Sequence, residues 1–208
     1  MSESLPILDS NPGLGAEPLP ETVREKHQLL QEQLKPLVRD GVLVAFSGGM
    51  DSAFLLWACR ETVRENGAGK VVAFTTISPS TPARDREDAR AFTEKQGIPH
   101  LWRESRELEI PEYARNDAQR CYHCKAELFR IAGEVARDEG LAQILYGYNH
   151  SDRSDLRPGH RAAEEAGALF PLADAGLTKA EIRFLMEEAG LSLAGKPASP
   201  CLSSRLMT

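Results

Sequence analysis

Short apolar runs alternate with segments of helical periodicity along most of this sequence. From Glu21 to about Val38, apolar residues recur at steps of three and four, which is the spacing of an amphipathic helix. Compact apolar runs bounded by turn residues predict buried strands. These runs lie at Val42–Phe46, Lys70–Thr76, Gln143–Tyr148 and, more weakly, His100–Arg103. Helical patterns separate them at residues 51–65, 84–96, 123–139 and 178–189.

This alternation predicts an α/β fold, with a Rossmann-like, mostly parallel sheet of about five strands and helices on both faces. Such sheets bind ligands at the carboxyl ends of their strands, so the residues directly after each strand are candidates for function. Residues 1–20 are rich in Pro and Gly and lack an apolar period, and we interpret them as a flexible tail. The predicted domain covers residues 21–195, and a cysteine-containing segment follows at 196–208.

Composition narrows the class of protein. Of the 208 residues, 41% are hydrophobic and 27% charged, as in ordinary globular proteins. The net charge of −6 argues against nucleic acid as a partner, because binding to its backbone needs clustered Lys and Arg. No apolar run approaches the roughly 20 residues that cross a bilayer, and the N-terminus lacks the basic and apolar regions of a signal peptide. We therefore expect a cytoplasmic protein without membrane contact.

A serine- and glycine-rich hexapeptide, Ser47 to Ser52 (SGGMDS), follows the first predicted strand and opens a helix. Two glycines permit close approach of the backbone to an anion, and the free N–H groups at a helix start favour negative charge. Asp51 would repel a bare phosphate, but Mg²⁺ commonly bridges carboxylates to substrate phosphates, so Asp51 is a candidate Mg²⁺ ligand. The alternative is a polar turn with an ordinary helix N-cap.

Two familiar nucleotide motifs are missing from this position. The chain lacks the Lys-Ser/Thr ending of a Walker loop, and no predicted strand is followed by the glycine pattern of dinucleotide binders. The hexapeptide instead resembles the pyrophosphatase loop, or PP-loop, of the N-type ATP pyrophosphatases, which include NAD synthetase, GMP synthetase and tRNA-thiolating enzymes. This resemblance implies the PP-loop fold and cleavage of ATP to AMP and pyrophosphate.

Three of the four cysteines form a possible metal or sulfur site. Cys121 and Cys124 form a C-x-x-C pair, and Cys201 lies far along the chain. Three thiols with His123 could hold zinc, three thiols alone could hold an iron–sulfur cluster with one open iron, or the thiols could be unlinked. Cys59 lies in an apolar stretch, and we interpret it as a core residue.

Further segments resemble one branch of the superfamily, the LarE-type sulfur insertases that build a nickel-pincer nucleotide cofactor. The matching segments, together with the loop, extend over about residues 41–205 and are the following: Cys121–Lys125 with Leu128-Phe129, Asp155–Gly159 with Arg161-Ala162, Pro171-Leu172, Gly176–Arg183, and Lys196–Ser199 through Arg205. Two departures stand out. Tyr148 replaces the usual Thr of a Gly-Thr-Asn segment, and the family's smaller C-terminal region is not present after Thr208.

The resemblance implies that ATP adenylylates a carboxylate of a pyridinium dicarboxylate mononucleotide, and that sulfur then displaces AMP to leave a thiocarboxylate. It assigns catalysis to Asp51, Cys201 and Arg205, with Asp51 as Mg²⁺ ligand. It assigns ATP binding to the following residues: Ala45, Phe46, Ser47, Gly48, Gly49, Asp51, Ser52, Thr75, Thr76, Gly147, Asn149 and Arg157.

Family members supply sulfur by one of two routes: sacrifice of the cysteine matching Cys201, or sulfide carried on a [4Fe–4S] cluster held by three cysteines. Because all three positions are cysteine here, we favour the cluster, with Cys121, Cys124 and Cys201 as its ligands. The sequence does not identify the protein or compound that donates the sulfur. We expect a homo-oligomer. The alternatives are an amide-forming or tRNA-thiolating ATP pyrophosphatase and a sensor that binds ATP or metal without turnover.

Overall fold

The fold is a parallel sheet with helices on both faces, seen in a computed structural model that describes residues 20–79, 81–115, 119–154 and 158–197. The strands are β1 (Val42–Ala45), β2 (Val71–Ile77), β3 (His100–Glu104) and β4 (Gln143–Tyr146). The helices are α1 (Glu21–Asp40), α2 (Met50–Asn66), α3 (Ala83–Gln96), α4 (Pro111–Ala114), α5 (Arg120–Asp138), α6 (Pro158–Glu165), α7 (Pro171–Asp174) and α8 (Lys179–Glu188). Single 3₁₀ turns occur at Glu107–Glu109 and His150–Ser154.

The sheet has the order β3-β2-β1-β4, and all its neighbouring strands are parallel. Strand β1 pairs with β2 from Val42↔Val71 and with β4 from Val42↔Gln143. The chain therefore adds β2 and β3 outward on one side of β1, and then returns to place β4 on the other side of β1. Crevices that bind ligands form where this reversal occurs, at the carboxyl ends of β1 and β4.

The alternation of side chains along β1 explains why helices cover both faces of the sheet. All four residues of β1 are buried. Val42 and Val44 pack in one core cluster with α1, α2 and α8, whereas Leu43 packs against α5 on the opposite face. Fully apolar strands of this kind are typical of parallel sheets covered on both sides.

The predicted parallel α/β fold is confirmed, but the expected count of about five strands is wrong, because the described residues contain four. A single parallel bridge joins Leu145 to Leu169 beyond β4. It does not extend into a strand, since Gly167 has a φ of 72° on one side and Pro171 begins α7 on the other. Three residues between these stops are too few for a strand of ordinary length.

The predicted helices agree with α1, α2, α3, α5 and α8 to within about three residues at each end. Helix α6 and the short helices α4 and α7 were not predicted. Among the described residues, no helix is both long enough and apolar enough to cross a lipid bilayer. The proposed boundaries at residues 20 and 195 stay predictions, and 1–19 and 198–208 lie outside the described residues.

Candidate nucleotide-binding site

The glycine turn between β1 and α2 is held in a conformation that only glycine adopts easily. Gly48 has a φ of 71°, in the left-handed region that L side chains rarely adopt. A Cβ atom at this position would lie 3.1 Å from the Asp85 carbonyl oxygen and 3.2 Å from the Ala89 Cβ. The turn therefore packs directly against the start of α3, and both its conformation and this contact require glycine.

Hydroxyl groups link the two ends of the turn. The Ser52 Oγ donates to the Gly49 carbonyl at 3.0 Å and accepts from the Ser47 N–H at 3.3 Å. The Ser47 Oγ lies 3.2 Å from the Ser52 Oγ and accepts from the Gly49 N–H at 3.3 Å. These bonds hold the two hydroxyls and the start of α2 together, as an anion site at a helix N-terminus requires.

The end of β4 presses against the first turn of α2. A Cβ atom on Gly147 would lie 2.7 Å from both the N and the Cα of Ser52, a distance that real structures do not tolerate. Two residues on, Asn149 is fully buried. Its Nδ2 donates to the Asp152 carboxylate at 2.8 Å, and its Oδ1 accepts from the Ser151 N–H at 2.8 Å. The end of β4 is thus fixed against the glycine turn, and contact of Gly147 or Asn149 with ATP stays a prediction.

Asp51 is a carboxylate in an unfavourable environment. Burial raises the pKa of Asp51 above its usual range and Asp152 adds to this effect, while Lys179 and a hydrogen bond from the Asn149 side chain lower it. Among the described residues, no hydrogen-bond donor reaches the buried Asp51 Oδ1. A buried carboxylate oxygen without a partner costs about 1–3 kcal/mol, and a bound cation would recover that cost. The residue predicted to bind Mg²⁺ therefore has a free oxygen.

A cleft of about 200 Å³ opens at this turn. Its walls are formed by Ser47, Gly49, Met50, Asp51, Asp85, Lys179, Lys196 and Pro197. The Lys196 Nζ lies 2.9 Å from both the Asp85 Oδ1 and the Asp88 Oδ2. Sequence reasoning did not select the two lysines, because neither follows a strand and lysine alone has no distinctive spacing. The positive charge of Lys179 suits the phosphates of a nucleotide, whereas that of Lys196 is paired with Asp85 and Asp88.

Thr75 and Thr76 lie near the end of β2, and the Thr75 hydroxyl has partners within the protein. The Thr75 Oγ1 donates to the Phe46 carbonyl at 2.5 Å and lies 2.8 Å from the His100 Nε2. The other ring nitrogen of His100 lies 3.1 Å from the Thr93 Oγ1. Phe46 and Thr75 thus fix the backbone at the carboxyl ends of β1 and β2. Direct contact of Thr75 or Thr76 with adenosine stays a prediction.

His100 predicts a pH dependence of stability. Burial lowers the pKa of His100 to about 4, whereas an unfolded histidine titrates near 6.5. Below about pH 6.5 the unfolded chain binds a proton that the folded chain does not, so the free energy of unfolding falls until about pH 4. Urea unfolding at several pH values would measure this loss. His100→Gln should remove this part of the slope, and an unchanged slope would contradict the assignment.

The two described cysteines of the predicted cluster occupy the first turn of α5. Cys121 is exposed and Cys124 half-buried, and their spacing of three residues places them on one helix face. This arrangement fits two thiolate ligands of one cluster. Cys201, the third predicted ligand, lies outside the described residues, as do Arg157 and Arg205. Within the described ranges, no group of three or more His, Cys, Asp or Glu side chains is placed to hold a metal ion. Cys59 is fully buried, which confirms it as a core residue.

The family model described as NAD synthase matches residues 22–161, which include the turn, the cysteine pair and the end of β4. The chain belongs to the NAD synthase family. As an NAD synthase family member, it carries its PP-loop at Ser47–Ser52, and the family implies that this loop binds ATP. The family model ends before α7, α8 and Lys196, so it does not cover the lysine side of the cleft.

Two curated proteins and one solved structure show how this NAD synthase family member compares with others. It is 38% identical over 166 residues to the Synechocystis protein slr1717, covering 80% of this chain and 60% of that protein. It is 30% identical over 184 residues to the pyridinium-3,5-bisthiocarboxylic acid mononucleotide synthase of Lactiplantibacillus plantarum, covering 88% of this chain and 65% of that protein. The chain thus spans less than two thirds of either relative. The fold matches the structure of the U34-tRNA thiolase NcsA from Methanococcus maripaludis with its [4Fe–4S] cluster. The TM-score is 0.64 at 16% identity, and the match covers 88% of this chain and 70% of NcsA.

Proposed function

We propose that this chain uses ATP to adenylylate a carboxylate of a pyridinium dicarboxylate mononucleotide and then replaces the activated oxygen with sulfur. The observation that carries the proposal is the partnerless Asp51 oxygen beside the glycine turn, at the chain reversal between β1 and β4. Similarity to the Lactiplantibacillus plantarum synthase supports the choice of substrate class and of sulfur as the incoming atom.

The first step needs stabilisation of negative charge and no covalent intermediate with the enzyme. A substrate carboxylate oxygen attacks the α-phosphorus of ATP, the bond between that phosphorus and the bridging oxygen breaks, and pyrophosphate leaves with the electron pair. Ser47, Gly49, Met50, Lys179 and Lys196 line the cleft in which negative charge would develop. Asp51 would hold Mg²⁺, which neutralises phosphate charge and orients the departing group.

The second step exchanges oxygen for sulfur. A sulfur nucleophile attacks the acyl carbon, and AMP leaves with the electrons of the carbon–oxygen bond. A [4Fe–4S] cluster bound by Cys121, Cys124 and Cys201 would supply sulfide for this attack at its open iron. The alternative nucleophile is the Cys201 thiolate: after it forms a thioester, loss of the Cys201 Cα proton and cleavage of its Cβ–S bond release the thiocarboxylate and leave dehydroalanine.

Pyrophosphate release tests the proposal directly. The chain is incubated with ATP and Mg²⁺, with either a pyridine-3,5-dicarboxylic acid mononucleotide or nicotinamide mononucleotide, which carries an amide in place of the carboxylate. We expect release only with the carboxylate. Release with neither compound, together with tight ATP binding, would contradict the proposal and favour a nucleotide sensor. Release that required tRNA would favour a tRNA-thiolating enzyme.

Cys201→Ala should separate the two steps. We expect pyrophosphate release to remain within about twofold of the unmodified chain, while thiocarboxylate formation, followed by mass spectrometry, is lost. Cys59→Ala is the matched control, because that buried thiol should affect stability alone. A Cys201→Ala variant that still made thiocarboxylate would remove Cys201 from the reaction.

Cys121→Ala distinguishes the two sulfur sources. Delivery from a cluster predicts that this variant loses sulfur transfer and the brown colour of anaerobically purified protein. Sacrifice of Cys201 predicts that it keeps sulfur transfer, and that the chain loses the mass of H₂S after one turnover. These results are mutually exclusive.

A further inference from the structure

A second and larger cavity lies beyond the end of β4. It has a volume of about 830 Å³ and lies among the 3₁₀ turn at His150–Ser154 and the starts of α5, α6 and α7. Its lining residues are Gln119, Tyr148, Arg153, Pro158, His160, Arg161, Glu164, Phe170, Ala173 and Asp174. We name it the β4 chamber. Its volume falls within the range of small-molecule sites, and the cleft at the PP-loop is a separate opening.

Three rings form one wall of the β4 chamber. The rings of His160 and Tyr148 are stacked, with centroids 3.8 Å apart and planes 7° from parallel. Phe170 lies 4.6 Å from His160 and 5.6 Å from Tyr148, both at steep angles. The Tyr148 hydroxyl donates to the Asp152 carbonyl at 2.8 Å, which fixes the ring behind His160. A rigid aromatic wall of this kind offers stacking surface to a planar ligand.

Charges of both signs surround these rings. The Arg153 Nη2 donates to the Asp174 carboxylate at 2.8 Å, and the His160 Nε2 lies 3.3 Å from a Glu164 oxygen. Arg161 also lines the chamber, where its Nε lies 3.4 Å from a Glu165 oxygen and its guanidinium lies over the Tyr122 ring. Within the described ranges, the buried His160 Nδ1 has no hydrogen-bond partner. A ligand that combines a cationic ring with peripheral anions would match this mixture better than a simple anion would.

The β4 chamber lies between the PP-loop and the cysteine pair. Tyr148 directly follows Gly147, whose backbone packs on the first turn of α2. On the other side, Gln119 precedes Cys121 at the start of α5. Gly159, next to His160, lies so close to α5 that a Cβ would be 3.3 Å from the Cys121 carbonyl oxygen. A molecule in the chamber would therefore have the end of β4, which packs on the PP-loop helix, on one side and the turn of α5 that carries Cys121 on the other.

We propose that the β4 chamber binds the pyridinium ring of the mononucleotide substrate, an inference that rests on the proposed function. The ring is planar, electron-poor and positively charged, so it gains from contact with aromatic side chains and from the carboxylates of Glu164 and Asp174. The guanidinium groups of Arg153 and Arg161 would pair with the substrate's carboxylates or phosphate. This placement directs the acyl group toward the space between ATP and sulfur.

Calorimetric titration with nicotinic acid mononucleotide, without ATP, tests this placement. His160→Leu and Phe170→Leu should each raise the dissociation constant about 2- to 10-fold, and together more than about tenfold, since each removes an aromatic contact. His160→Phe keeps the ring and should bind within about threefold of the unmodified chain. Trp102→Leu is the matched control, because Trp102 lines another cavity, with Arg86 and Arg90, at the opposite edge of the sheet. ATP binding and circular dichroism confirm that each chamber variant folds.

The outcomes test the β4 chamber and the proposed function separately. Loss of binding in the chamber variants with normal binding in Trp102→Leu supports the β4 chamber. Normal binding in the double variant, or loss only in Trp102→Leu, overturns it, even if pyrophosphate release confirms the proposed function. If the chamber variants lose mononucleotide binding but the unmodified chain releases no pyrophosphate with the carboxylate, the chamber stands as a binding site and the proposed reaction fails.

Discussion

Replacement of Asp51 by Ala is expected to lower the rate of pyrophosphate release by a factor on the order of 10²–10³ while the fold remains intact. The side chain contributes charge stabilisation through Mg²⁺, and losing one such group at a transition state costs about this much. Its removal deletes little core volume, because the residue is only partly buried. Release measured at saturating ATP, with circular dichroism as the check on folding, tests the role.

Asp51→Asn makes the test sharper, because it keeps the shape and removes the charge. Burial raises the pKa of Asp51, so the folded chain disfavours its charged form at neutral pH. Without nucleotide, Asp51→Asn should therefore unfold at a higher temperature than the unmodified chain, and the activity should still be lost. Asp138→Asn, at the exposed end of α5, is the control and should change neither property. An active Asp51→Asn variant would contradict the proposed role in binding Mg²⁺.

Gly147→Ala is expected to cost about 1–3 kcal/mol of stability and to lower turnover about 10²-fold. Its Cβ would lie 2.7 Å from backbone atoms of Ser52, and backbone cannot rotate away as a flexible side chain could. Either β4 or the first turn of α2 must shift, and overpacking of this size has this cost. A shift of about 1 Å in the group that holds the phosphates accounts for the loss of rate.

Gly133→Ala provides the matched control for that variant. Gly133 lies inside α5, where the nearest atom to an added Cβ is the end of the Arg137 side chain, 3.7 Å away. Alanine should stabilise this helix by about 0.5–1 kcal/mol and leave turnover unchanged. Urea unfolding and pyrophosphate release measure both effects. If Gly147→Ala behaved like Gly133→Ala, the contact between β4 and α2 would have no part in the activity.

Local patterns predicted most of the fold. The apolar runs of β1 and β2 are buried on both faces, so they stand out from their surroundings. Each of the four apolar runs forms one of the four strands, so the expected count of about five exceeded the runs that the sequence offers. Helix α6 was missed although its apolar residues share one face, because a helix of eight residues is marginal on its own and depends on packing against α5.

Reasoning from the residues alone selected the candidate site only at the continuous loop segment, and the other site residues were assigned through the family resemblance. Ser47 to Ser52 carries its chemistry in one segment, so its position after a strand was enough to select it. Lys179 and Lys196 reach the same cleft from distant parts of the chain, and only tertiary packing brings them there. The aromatic wall of the β4 chamber combines His160 of α6 with Tyr148 and Phe170 from two connecting segments, and no local period could have revealed it.

The central position of β1 determines how substitutions in other parts of the domain affect the PP-loop. Val42–Ala45 have hydrogen-bonded strands on both sides and helices over both faces, so their amide protons should exchange with solvent only when the whole domain opens. The loop begins where this most protected segment ends. Substitutions in the outer strand β3 should therefore reduce the number of folded molecules without altering the loop in those that remain. Activity lost in this way should return when ATP is raised, because a ligand of the folded state shifts the equilibrium toward it.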